Sequence, residues 1–574
     1  METITLTING QEVKAPKNST ILEAAKGAGI HIPTLCYHPE LCAEGACRLC
    51  VVEASGARTL VASCVYPAAE GMIVNTNTPK VRKARKLVIE LLLANHPKVC
   101  LSCQKSCDCQ LQAAAADLGV RNIRFEGAMR KYHPKDSSNP SLVRDLSKCI
   151  LCGRCIRVCR DVQDMSVYSF AQRGFDTIVS PAFEKDLSGV DCSYCGQCSA
   201  VCPTGAIVEK DDTEKVWDAI NAEGKIVVVQ TAPSVRAALG EEFGMPAGTN
   251  VEGKMAAALR KLGFDKVFDT NFGADLTIME EGYEFIERLT KGGVLPMITS
   301  CSPGWVNTIE MQYPELLPHL STAKSPQGMF GAIVKTYYPK KAGIDPANII
   351  SVSVMPCTAK KAEADRPHIN SSGFKDIDIV ITTRELGRMI REAGIDFPNL
   401  KEENFDSPLG SGTGAAVIFG TTGGVMEAAL RTAADVLTGQ DLKAVDYNAV
   451  RGMENIREAE LDIAGKKVKV AVVHTLRAAK EILEKLKKGQ IDYHFIEIMA
   501  CPGGCIGGGG QPIPVNLEVK KLRRQALFDI DSANTLRKSH QNPDIQTLYK
   551  EYLKQPLSEM SHKLLHTHFH KQDR

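Results

Sequence analysis

The spacing of hydrophobic and polar positions changes along this chain and predicts different elements in different regions. Residues 3–10, TITLTING, alternate apolar and polar side chains like a half-buried strand, and their Asn-Gly pair is typical of a tight hairpin turn. The next segment, STILEAAKGAG, has the pattern of a short helix that Ser19 or Thr20 can cap. A longer helix is predicted over residues 80–95, KVRKARKLVIELLLAN.

From about residue 210 the pattern becomes that of an α/β fold. Continuous apolar runs in KIVVVQTAP, ISVSVMPC, DIVITT and VKVAVVHT alternate with amphipathic segments such as GKMAAALRKLG and AAKEILEKLKKG. Strands that are apolar throughout predict parallel sheets covered on both faces. The segments MITSCSP and SVMPC place Cys301 and Cys357 at or next to strand ends, where open α/β sheets gather ligands.

Composition and charge narrow the class of protein. A length of 574 residues predicts roughly four domains of ~150 residues each. The net charge of +2 gives no sign of a nucleic-acid or membrane partner. The first residues lack the apolar stretch of a signal peptide, and no run approaches the ~18 apolar residues of a membrane span. We therefore expect a soluble, cytoplasmic protein.

Cysteine departs from this ordinary composition. The chain has 21 cysteines, and all but four precede residue 203. Clustered cysteines in a chain that is expected to be cytoplasmic indicate metal centres rather than disulfides, and the odd number disfavours complete pairing.

The first cysteines form one CxxC pair with two more distant cysteines: Cys36, Cys47, Cys50 and Cys64. A zinc ribbon uses two CxxC pairs, whereas a [2Fe–2S] cluster in a loop on a small sheet uses one close pair and two outliers. We predict a [2Fe–2S] cluster.

The second set combines one histidine with three cysteines: His96, Cys100, Cys103 and Cys109. A histidine near a helix end is usually a surface residue, but this one lies four residues before a CxxC. The form HxxxCxxCxxxxxC resembles the His-ligated [4Fe–4S] site of respiratory-complex and hydrogenase subunits. Cys42 and Cys107 are left over, and we interpret them as unligated thiols.

The strongest signal is a pair of runs, CILCGRCIRVC and CSYCGQCSAVCP, each with the spacing C-x2-C-x2-C-x3-C. In bacterial two-cluster ferredoxins the fourth cysteine of each run ligates the other cluster. The first predicted cubane is held by Cys149, Cys152, Cys155 and Cys202. The second is held by Cys159, Cys192, Cys195 and Cys198. Such clusters carry single electrons and transform no substrate, so we expect the chemistry downstream.

The last two cysteines, Cys501 and Cys505, lie in EIMACPGGCIGGGGQP. Its glycine run lacks the Lys-Ser/Thr pair and the helix of a phosphate-binding loop. Glycine on either side of two cysteines fits a backbone that is pressed against a metal cluster.

Three segments, TSCSPGW, MPCTAKKAEADRP and EIMACPGGCIGGGGQP, resemble the active-site motifs of [FeFe]-hydrogenases. With the N-terminal clusters and the tail RRQALFDIDSANTLRKSHQNP, the resemblance to the large clostridial-type enzymes covers essentially the whole chain. It implies a multidomain α+β and α/β fold. The expected units are a ferredoxin-like [2Fe–2S] domain at 1–80, a His/Cys3 [4Fe–4S] domain at 81–125, a two-[4Fe–4S] ferredoxin domain at 126–209 and a large α/β catalytic domain at 210–574.

The resemblance also implies an H-cluster, in which a [4Fe–4S] cubane is bridged to a diiron unit with CO, cyanide and azadithiolate. One [2Fe–2S] and three accessory [4Fe–4S] clusters accompany it. Cys357, Cys501 and Cys505 look like cubane ligands, with Cys505 as the bridge to the diiron unit. Lys360 would pair with a cyanide, and Glu363 would be its structural partner. The other residues that look like neighbours of the cofactor are Ala232, Pro233, Ser234, Ser325, Gln327, Met355 and Met499.

Glu281, Glu284 and Arg288 have the spacing of one helix face. On spacing alone a solvated charged stripe is the commoner interpretation. The resemblance instead implies that these residues form a proton relay with Ser321 and Cys301. Carboxylates can shuttle protons when burial raises their pKa toward neutrality.

The family motif has two adjacent cysteines where this chain has Cys301 and Ser302. Ser302 could ligate the cubane through oxygen while Cys301 keeps the relay role, or Cys301 could supply the thiolate. The preference of iron–sulfur clusters for thiolate favours Cys301. The register set by Pro303 favours Ser302, because adjacent side chains of an extended segment point apart. We expect the arrangement that register favours.

The function that the resemblance implies is reversible reduction of protons to H2. Electrons would come from ferredoxin or a similar soluble carrier, and maturation proteins would supply the diiron unit. One alternative is the catalytic subunit of a multimeric NAD(P)H-linked or electron-bifurcating hydrogenase, with the diaphorase on another chain. A second alternative is a sensory, electron-transfer or assembly relative without turnover, because Ser302 replaces a cysteine of the family motif.

Overall fold

The structure is a computed structural model that describes residues 2–125, 134–443, 445–463 and 465–572. The predicted boundary between the second and third domains, at residues 125 and 126, adjoins the segment 126–133, which lies outside the described residues. No helix of the described segments is both long and apolar enough to cross a membrane.

The N-terminal region is a small sheet with two helices. Its elements are β1 (Thr3–Ile8), β2 (Gln11–Pro16), α1 (Ile21–Gly27), β3 (Val51–Ala54), β4 (Val61–Ala62), β5 (Ile73–Asn75) and α2 (Pro79–Ala94). The predicted hairpin is present, and Asn9 and Gly10 take the positive φ values that its tight turn requires. Thr20, rather than Ser19, caps α1 and forms a capping box with Glu23.

The middle region consists of short elements around the cysteine runs. They are α3 (Gln110–Asp117), β6 (Leu142–Arg144), α4 (Arg154–Arg157), β7 (Ser169–Ala171), β8 (Ile178–Ser180), α5 (Gln197–Val201) and β9 (Ile207–Glu209). The two ferredoxin runs fold alike, because Gly153 and Gly196 both take left-handed φ values directly before α4 and α5. Each glycine turns the chain so that the third cysteine of its run lies in the first turn of a helix.

Two four-stranded sheets form the C-terminal region. Their strands are β10 (Ile226–Thr231), β11 (Lys266–Asp269), β12 (Met297–Ile298), β13 (Ile349–Met355), β14 (Ile379–Thr382), β15 (Ile456–Ile463), β16 (Lys466–His474) and β17 (Phe495–Met499). The first sheet has the order β11-β10-β13-β14 and is entirely parallel, as predicted.

The second sheet corrects the prediction of parallel sheets at one edge. Its order is β12-β17-β16-β15, and β15 pairs antiparallel with β16. The edge strand IREAELDI alternates between exposed and covered side chains, unlike the continuous apolar runs of its neighbours. An antiparallel edge strand with one wet face is common on an otherwise parallel sheet.

Helices cover both faces of the two sheets. They are α6 (Thr213–Ile220), α7 (Glu252–Leu262), α8 (Thr270–Lys291), α9 (Pro303–Gln312), α10 (Pro326–Ala342), α11 (Ala359–Ala364), α12 (Thr383–Glu392), α13 (Gly414–Ile418), α14 (Gly424–Thr438), α15 (Leu476–Lys487), α16 (Leu517–Ala533), α17 (Pro543–Leu548) and α18 (Glu559–Leu565). In β10, Val227 and Val229 belong to one apolar cluster and Val228 to the cluster on the opposite face. The sheets therefore sit inside the core, as their apolar strands predict.

A buried ion pair joins the two-cluster region to the C-terminal region. Glu209, at the end of β9, accepts hydrogen bonds from Arg384 at 2.6 Å and from Arg388 at 2.8 Å. Arg384 also donates to the carbonyl oxygens of Gly509 and Gln511. Burial alone would raise the pKa of Glu209, but the two guanidiniums hold that pKa well below its usual range.

We expect Glu209→Gln to lower the free energy of unfolding by about 3 kcal/mol, because two buried guanidiniums lose their counter-charge. The folded pKa of Glu209 is depressed, so this stabilisation is present at neutral pH and is lost as the pH falls through that value. The thermal midpoint of the cluster-loaded protein measures the loss. The control is Glu460→Gln, which breaks an exposed pair with Lys467 and should change the midpoint little. Equal midpoints for the two variants would contradict the expectation.

Candidate active site and metal centres

The first predicted ligand set comes together beside the N-terminal sheet. The thiol of Cys36 lies within hydrogen-bonding reach of the thiols of Cys47 and Cys64, and Cys64 also reaches Cys50. The backbone N–H of Cys47 donates to the sulfur of Cys36 at 3.5 Å. Such N–H donors favour the thiolate form that an iron cluster requires.

The other N-terminal sets surround three separate cavities of about 20 Å³ each. The first is lined by His96, Cys100, Cys103 and Cys109. The second is lined by Cys149, Cys152, Cys155 and Cys202. The third is lined by Cys159, Cys192, Cys195 and Cys198. Each ferredoxin cavity thus takes three cysteines from one run and the fourth from the other.

These sets follow one another through the protein. Cys36 and Cys152 belong to one apolar cluster, and the buried guanidinium of Arg157 donates to both of their carbonyl oxygens, at 2.6 and 3.2 Å. Cys155 and Cys198 share the next cluster, so the two ferredoxin cavities are also neighbours. The path from the Cys36 set through the first ferredoxin cavity to the second is therefore continuous.

The histidine-containing set joins the same path from another side. The thiol of Cys109 donates to the carbonyl oxygen of Pro203 at 3.8 Å, next to Cys202. A Cβ on Gly205 would lie 2.8 Å from the sulfur of Cys103, so this glycine allows the close approach. The series of sets accordingly has two outer ends that converge on the first ferredoxin cavity.

The two cysteines that were left over lie apart from these sets. Cys42 and Cys107 are exposed, and neither lines one of the three cavities above. The thiol of Cys42 donates to Asp161 at 3.8 Å.

A larger cavity lies where the carboxyl ends of both parallel sheets meet. About 80 Å³ of it is open to the centre of a water-sized sphere, which is room for several water molecules. Eleven predicted site residues line it: Ala232, Pro233, Cys301, Ser302, Gln327, Met355, Cys357, Lys360, Met499, Cys501 and Cys505. Cys195 of the second ferredoxin set lines the same cavity, so the series of cysteine sets ends here.

Strand ends explain how distant residues reach this cavity. Met355 and Met499 are the last residues of β13 and β17, and a cysteine follows each of them two residues later. Ala232 directly follows β10. Loops at the carboxyl edge of a parallel sheet are the usual place for ligands, and here two such edges face one another.

The loop after β17 is pressed against its surroundings. Gly504 has φ +89°, and a Cβ there would lie 2.6 Å from the backbone nitrogen of Thr422. A Cβ on Gly508 would lie 2.2 Å from the carbonyl oxygen of Pro356. Glycine is therefore required at both positions for the loop to hold Cys501 and Cys505 at the cavity.

Lys360 is held at the cavity by a buried carboxylate. Its ammonium donates to Glu363 at 2.8 Å and to the carbonyl oxygen of Cys301 at 3.3 Å. Glu363 also accepts hydrogen bonds from Ser325 and Gln327, both at 3.1 Å. The side-chain oxygen of Gln327 has no hydrogen-bond partner among the described residues. The wall thus offers a cation and an unpaired polar atom.

Two predicted cofactor neighbours lie one layer behind the wall. Ser325 does not line the cavity. Its hydroxyl donates to Glu363, the carboxylate that holds Lys360 at the wall. Ser234 accepts a hydrogen bond from the side-chain amide of Gln511 at 3.2 Å, and Gln511 donates to the carbonyl oxygen of Cys505 at 3.3 Å.

Sequence reasoning missed Thr270, Ala274 and Phe419, which line the cavity without belonging to any of the motifs. They are ordinary residues of helix ends, so no local pattern marks them. Gln511 was also missed, although it is the penultimate residue of the motif segment EIMACPGGCIGGGGQP.

Cys301 and Ser302 both line the cavity but have different surroundings. The Ser302 hydroxyl oxygen accepts the backbone N–H of Ala500 at 3.2 Å, as several predicted ligand sulfurs accept backbone N–H groups. Cys301 belongs to the apolar cluster that contains Ala274 and Met499. Burial, and then the Glu281 carboxylate, raise the pKa of the Cys301 thiol well above its ordinary value, which favours a protonated thiol.

The acidic face of α8 leads from this cavity toward the surface. Glu281 is fully buried and Glu284 is 8% exposed, so the face is not a solvated stripe. The Ser321 hydroxyl donates to Glu284 at 3.0 Å, and the partly exposed Arg288 donates to Glu284 at 2.5 Å. All five residues predicted for the relay, Cys301 included, therefore lie in a row between the central cavity and the surface.

Among these five residues, Glu281 has the fewest groups that would stabilise its charged form. Within the described residues, neither of its carboxylate oxygens accepts a hydrogen bond of normal geometry. Burial, and then the neighbouring Glu284 carboxylate, raise the pKa of Glu281 to about 8. A carboxyl group with this pKa can both hold and release a proton near neutral pH.

The donor sets fit iron–sulfur clusters rather than single ions. Among the described residues, no three His, Cys, Asp or Glu side chains converge closely enough to hold one metal ion. The cysteines surround spaces instead of points, as ligands of a multi-iron cluster do. At the central cavity, three cysteines supply thiols, and Cys301 and Ser302 are the available fourth donors.

Family comparisons match the chain in the order of its regions. A "2Fe-2S iron-sulfur cluster binding domain" matches residues 1–79, an "NADH-ubiquinone oxidoreductase-G iron-sulfur binding region" matches 85–124 and a "4Fe-4S dicluster domain" matches 148–206. The "Iron only hydrogenase large subunit, C-terminal domain" matches residues 225–509, and the "Iron hydrogenase small subunit" matches 517–572.

Individual proteins match over most of their length. The NADP-reducing hydrogenase subunit HndD of Solidesulfovibrio fructosivorans is 51% identical, with 100% of both chains covered. Iron hydrogenase 1 of Clostridium pasteurianum is 42% identical over 99% of this chain and 100% of its own. The apo [FeFe]-hydrogenase HydA1 of Chlamydomonas reinhardtii, a solved structure, has a TM-score of 0.57 and 42% identity, covering 63% of this chain and 99% of its own.

The buried carboxyl group of Glu281 can be observed directly. Because its pKa is about 8, we expect a protonated carboxylic acid at neutral pH that ionises as the pH rises through 8. Its infrared C=O band should titrate with that midpoint and be missing from Glu281→Gln. Since the ionised form is disfavoured in the folded protein, stability should fall as the pH rises from 4.5 through 8, and Glu281→Gln should abolish that decline.

The control for this titration is Glu315→Gln, which changes an exposed carboxylate and should keep the band. A band that persists unchanged in Glu281→Gln would show that the observed proton resides elsewhere.

Proposed function

Since this chain belongs to the [FeFe]-hydrogenase family, we propose that it is the hydrogen-converting subunit of a larger NAD(P)H-linked hydrogenase. The chain is an oxidoreductase acting on H2, with protons and H2 as its substrates. The expectation from sequence placed ferredoxin first as electron carrier and a multimeric enzyme second. The single observation that reverses this order is the full-length 51% identity to the subunit HndD, against 42% for iron hydrogenase 1.

A group of exposed aromatic side chains supports a permanent partner. Phe170, Phe175 and Phe183 are 50%, 52% and 94% exposed on and beside the hairpin of β7 and β8. Phe183 also has a positive φ, a strained backbone conformation for a bulky side chain. Such strain is found mainly at functional positions. Large apolar side chains with this exposure, on and beside one short hairpin, point to a protein–protein contact. We assign this aromatic patch to the subunit that carries the NAD(P)H site.

Cys357, Cys501 and Cys505 are the proposed ligands that would hold the cubane, and the sulfur of Cys505 would also join the diiron unit. When bound, the diiron unit supplies the iron and the amine at which H2 is formed or split. Lys360, fixed by Glu363, places a cation where anionic ligands are expected. Met355 and Met499 close the apolar wall around them and exclude water.

We propose the relay Arg288, Glu284, Ser321, Glu281 and Cys301 for protons. The hydrogen bonds of Ser321 and Arg288 fix Glu284 at the outer part of the line, where water can reach. Glu281 takes the inner place, because its raised pKa lets it hold a proton inside the protein. The Cys301 thiol stays protonated and can pass one proton on while it takes another.

The partner assignment is tested with the matured chain, alone and with its copurifying subunits. Alone, it should evolve H2 from reduced methyl viologen but should not reduce NADP⁺ with H2. Adding the partner subunits should restore NADP⁺ reduction. Phe183→Ser should weaken that coupled reaction several-fold, because an aromatic anchor contributes about 1–3 kcal/mol to a contact. Its viologen activity should be unchanged.

Reduced ferredoxin that supports full H2 evolution by the isolated chain, with no copurifying subunit, would contradict the partner assignment. It would leave the hydrogenase activity itself in place.

Ser302 is proposed as the fourth cubane donor, with loss of its hydroxyl proton to water when the iron binds. Its oxygen already accepts a backbone N–H in the manner of the ligand sulfurs. The variant Ser302→Ala should therefore leave one iron without a protein ligand and yield a three-iron cluster on oxidation, seen by electron paramagnetic resonance. The matched variant Cys301→Ala should keep the four-iron signal. The reverse pattern would assign the ligand role to Cys301.

A further inference from the structure

The C-terminal segment lies directly against the proposed proton relay. Residues 565–567 pair with 322–324, because Lys324 N–H donates to the carbonyl oxygen of Leu565 and Thr567 N–H donates to that of Thr322, both at 2.8 Å. This pairing holds His566 opposite Ala323. His566 and Thr322 are 244 positions apart in the chain, so only the fold brings them together.

His566 is linked to Glu284 by one hydroxyl group. The Thr322 hydroxyl lies 2.7 Å from Nδ1 of His566 and 3.1 Å from a carboxylate oxygen of Glu284. Nε2 of His566 lies 3.0 Å from Glu280, which is fully buried on α8. The imidazole therefore bridges two carboxylates of the same helix.

Acidic, hydroxyl and imidazole groups surround His566. Glu280 faces Nε2 and also accepts hydrogen bonds from the Tyr549 hydroxyl at 2.5 Å and the Leu557 N–H at 2.9 Å. From α18, the ring centroid of the exposed His562 lies 4.4 Å from that of His566, with the two rings tilted by 41°. The titratable groups facing the imidazole include these side chains and Glu284, which it reaches through Thr322. His562 offers a way to solvent.

The proposed outer end of the relay lacks a group that can release a proton. An arginine guanidinium keeps its protons at any physiological pH, so Arg288 can only orient Glu284 or adjacent water. Histidine is the side chain that gains and loses a proton near neutrality. His566 places an imidazole one hydroxyl away from the same carboxylate.

We propose that His566 delivers protons to Glu284 through the Thr322 hydroxyl, as a second inlet that does not pass Arg288. In each transfer the N–H bond at Nδ1 breaks and a new O–H bond forms on Thr322. The original Thr322 O–H bond breaks as Glu284 gains its proton. His562 and water return a proton to the imidazole. The inference rests on the proposed relay through Glu284 and adds the C-terminal segment to it.

The decisive variant is His566→Gln. Its side-chain amide can donate to Glu280, as Nε2–H of the imidazole does, but it cannot carry a proton. The rate of H2 evolution from reduced methyl viologen is measured against pH for this variant, for Arg288→Leu and for the double variant. With two parallel inlets, each single change should slow the rate by at most about twofold, because the other inlet remains, and the double change should slow it by more than about 30-fold, beyond the product of the two.

Two further measurements separate proton transfer from a structural role. Added imidazole should restore the rate and the pH profile of His566→Ala. The control His540→Gln removes another histidine of the C-terminal region, one that contacts Thr432 and Asp435, and should match the parent enzyme. A slower His566→Ala enzyme that keeps the parent pH profile and does not respond to imidazole would overturn the inference.

Equal rates for His566→Gln and the parent, in both the parent and the Arg288→Leu backgrounds, would overturn it as well. The viologen assay needs no partner subunit, so its outcome is independent of the NAD(P)H-linked assignment. Failure of the relay itself is recognised separately, because Glu284→Gln would then also run at the parent rate.

Discussion

Burial of the central cavity is the constraint on which the rest of the structure depends. The carboxyl ends of two sheets meet there, and eleven predicted site residues line it. Under the proposed function, electrons and protons both reach this cavity through protein. The cysteine sets that end at Cys195 are the proposed electron path, and the buried face of α8 is the proposed proton path. The two paths reach the cavity from different elements, so each can be altered without dismantling the other.

Buried charges are paired in the parts of the protein that hold the fold together, whereas one at the candidate proton relay is not. Glu209 is fully compensated by two guanidiniums, and Lys360 is paired with Glu363. Burial, and then the like-charged Glu284, raise the pKa of Glu281 to about 8. An unpaired buried carboxyl group is destabilising, and the fold tolerates it where a proton has to be held and released. The same reasoning applies to Cys301, whose thiol stays protonated beside it.

The two outer ends of the cysteine series bear on the proposed place of the chain in a larger enzyme. The [2Fe–2S] region and the histidine-containing set both converge on the first ferredoxin cavity, which gives the proposed electron path two entrances. The exposed aromatic side chains near the β7–β8 hairpin are the surface proposed for the partner subunit. The C-terminal segment lies elsewhere, since His566 adjoins the proposed proton relay.

The sequence by itself determined the metal centres and the class of fold. Ligand spacing within a run is a local property, so the residues of the two ferredoxin cavities could be predicted one by one. The continuous apolar strands likewise predicted the parallel sheets. The spacing of Glu281 and Glu284 fixed a shared helix face but not its burial, because burial depends on what packs against that face. Only the tertiary structure brought in Phe419 and His566. Their partners are distant in the chain, and packing, rather than any local pattern, selects which residues become neighbours.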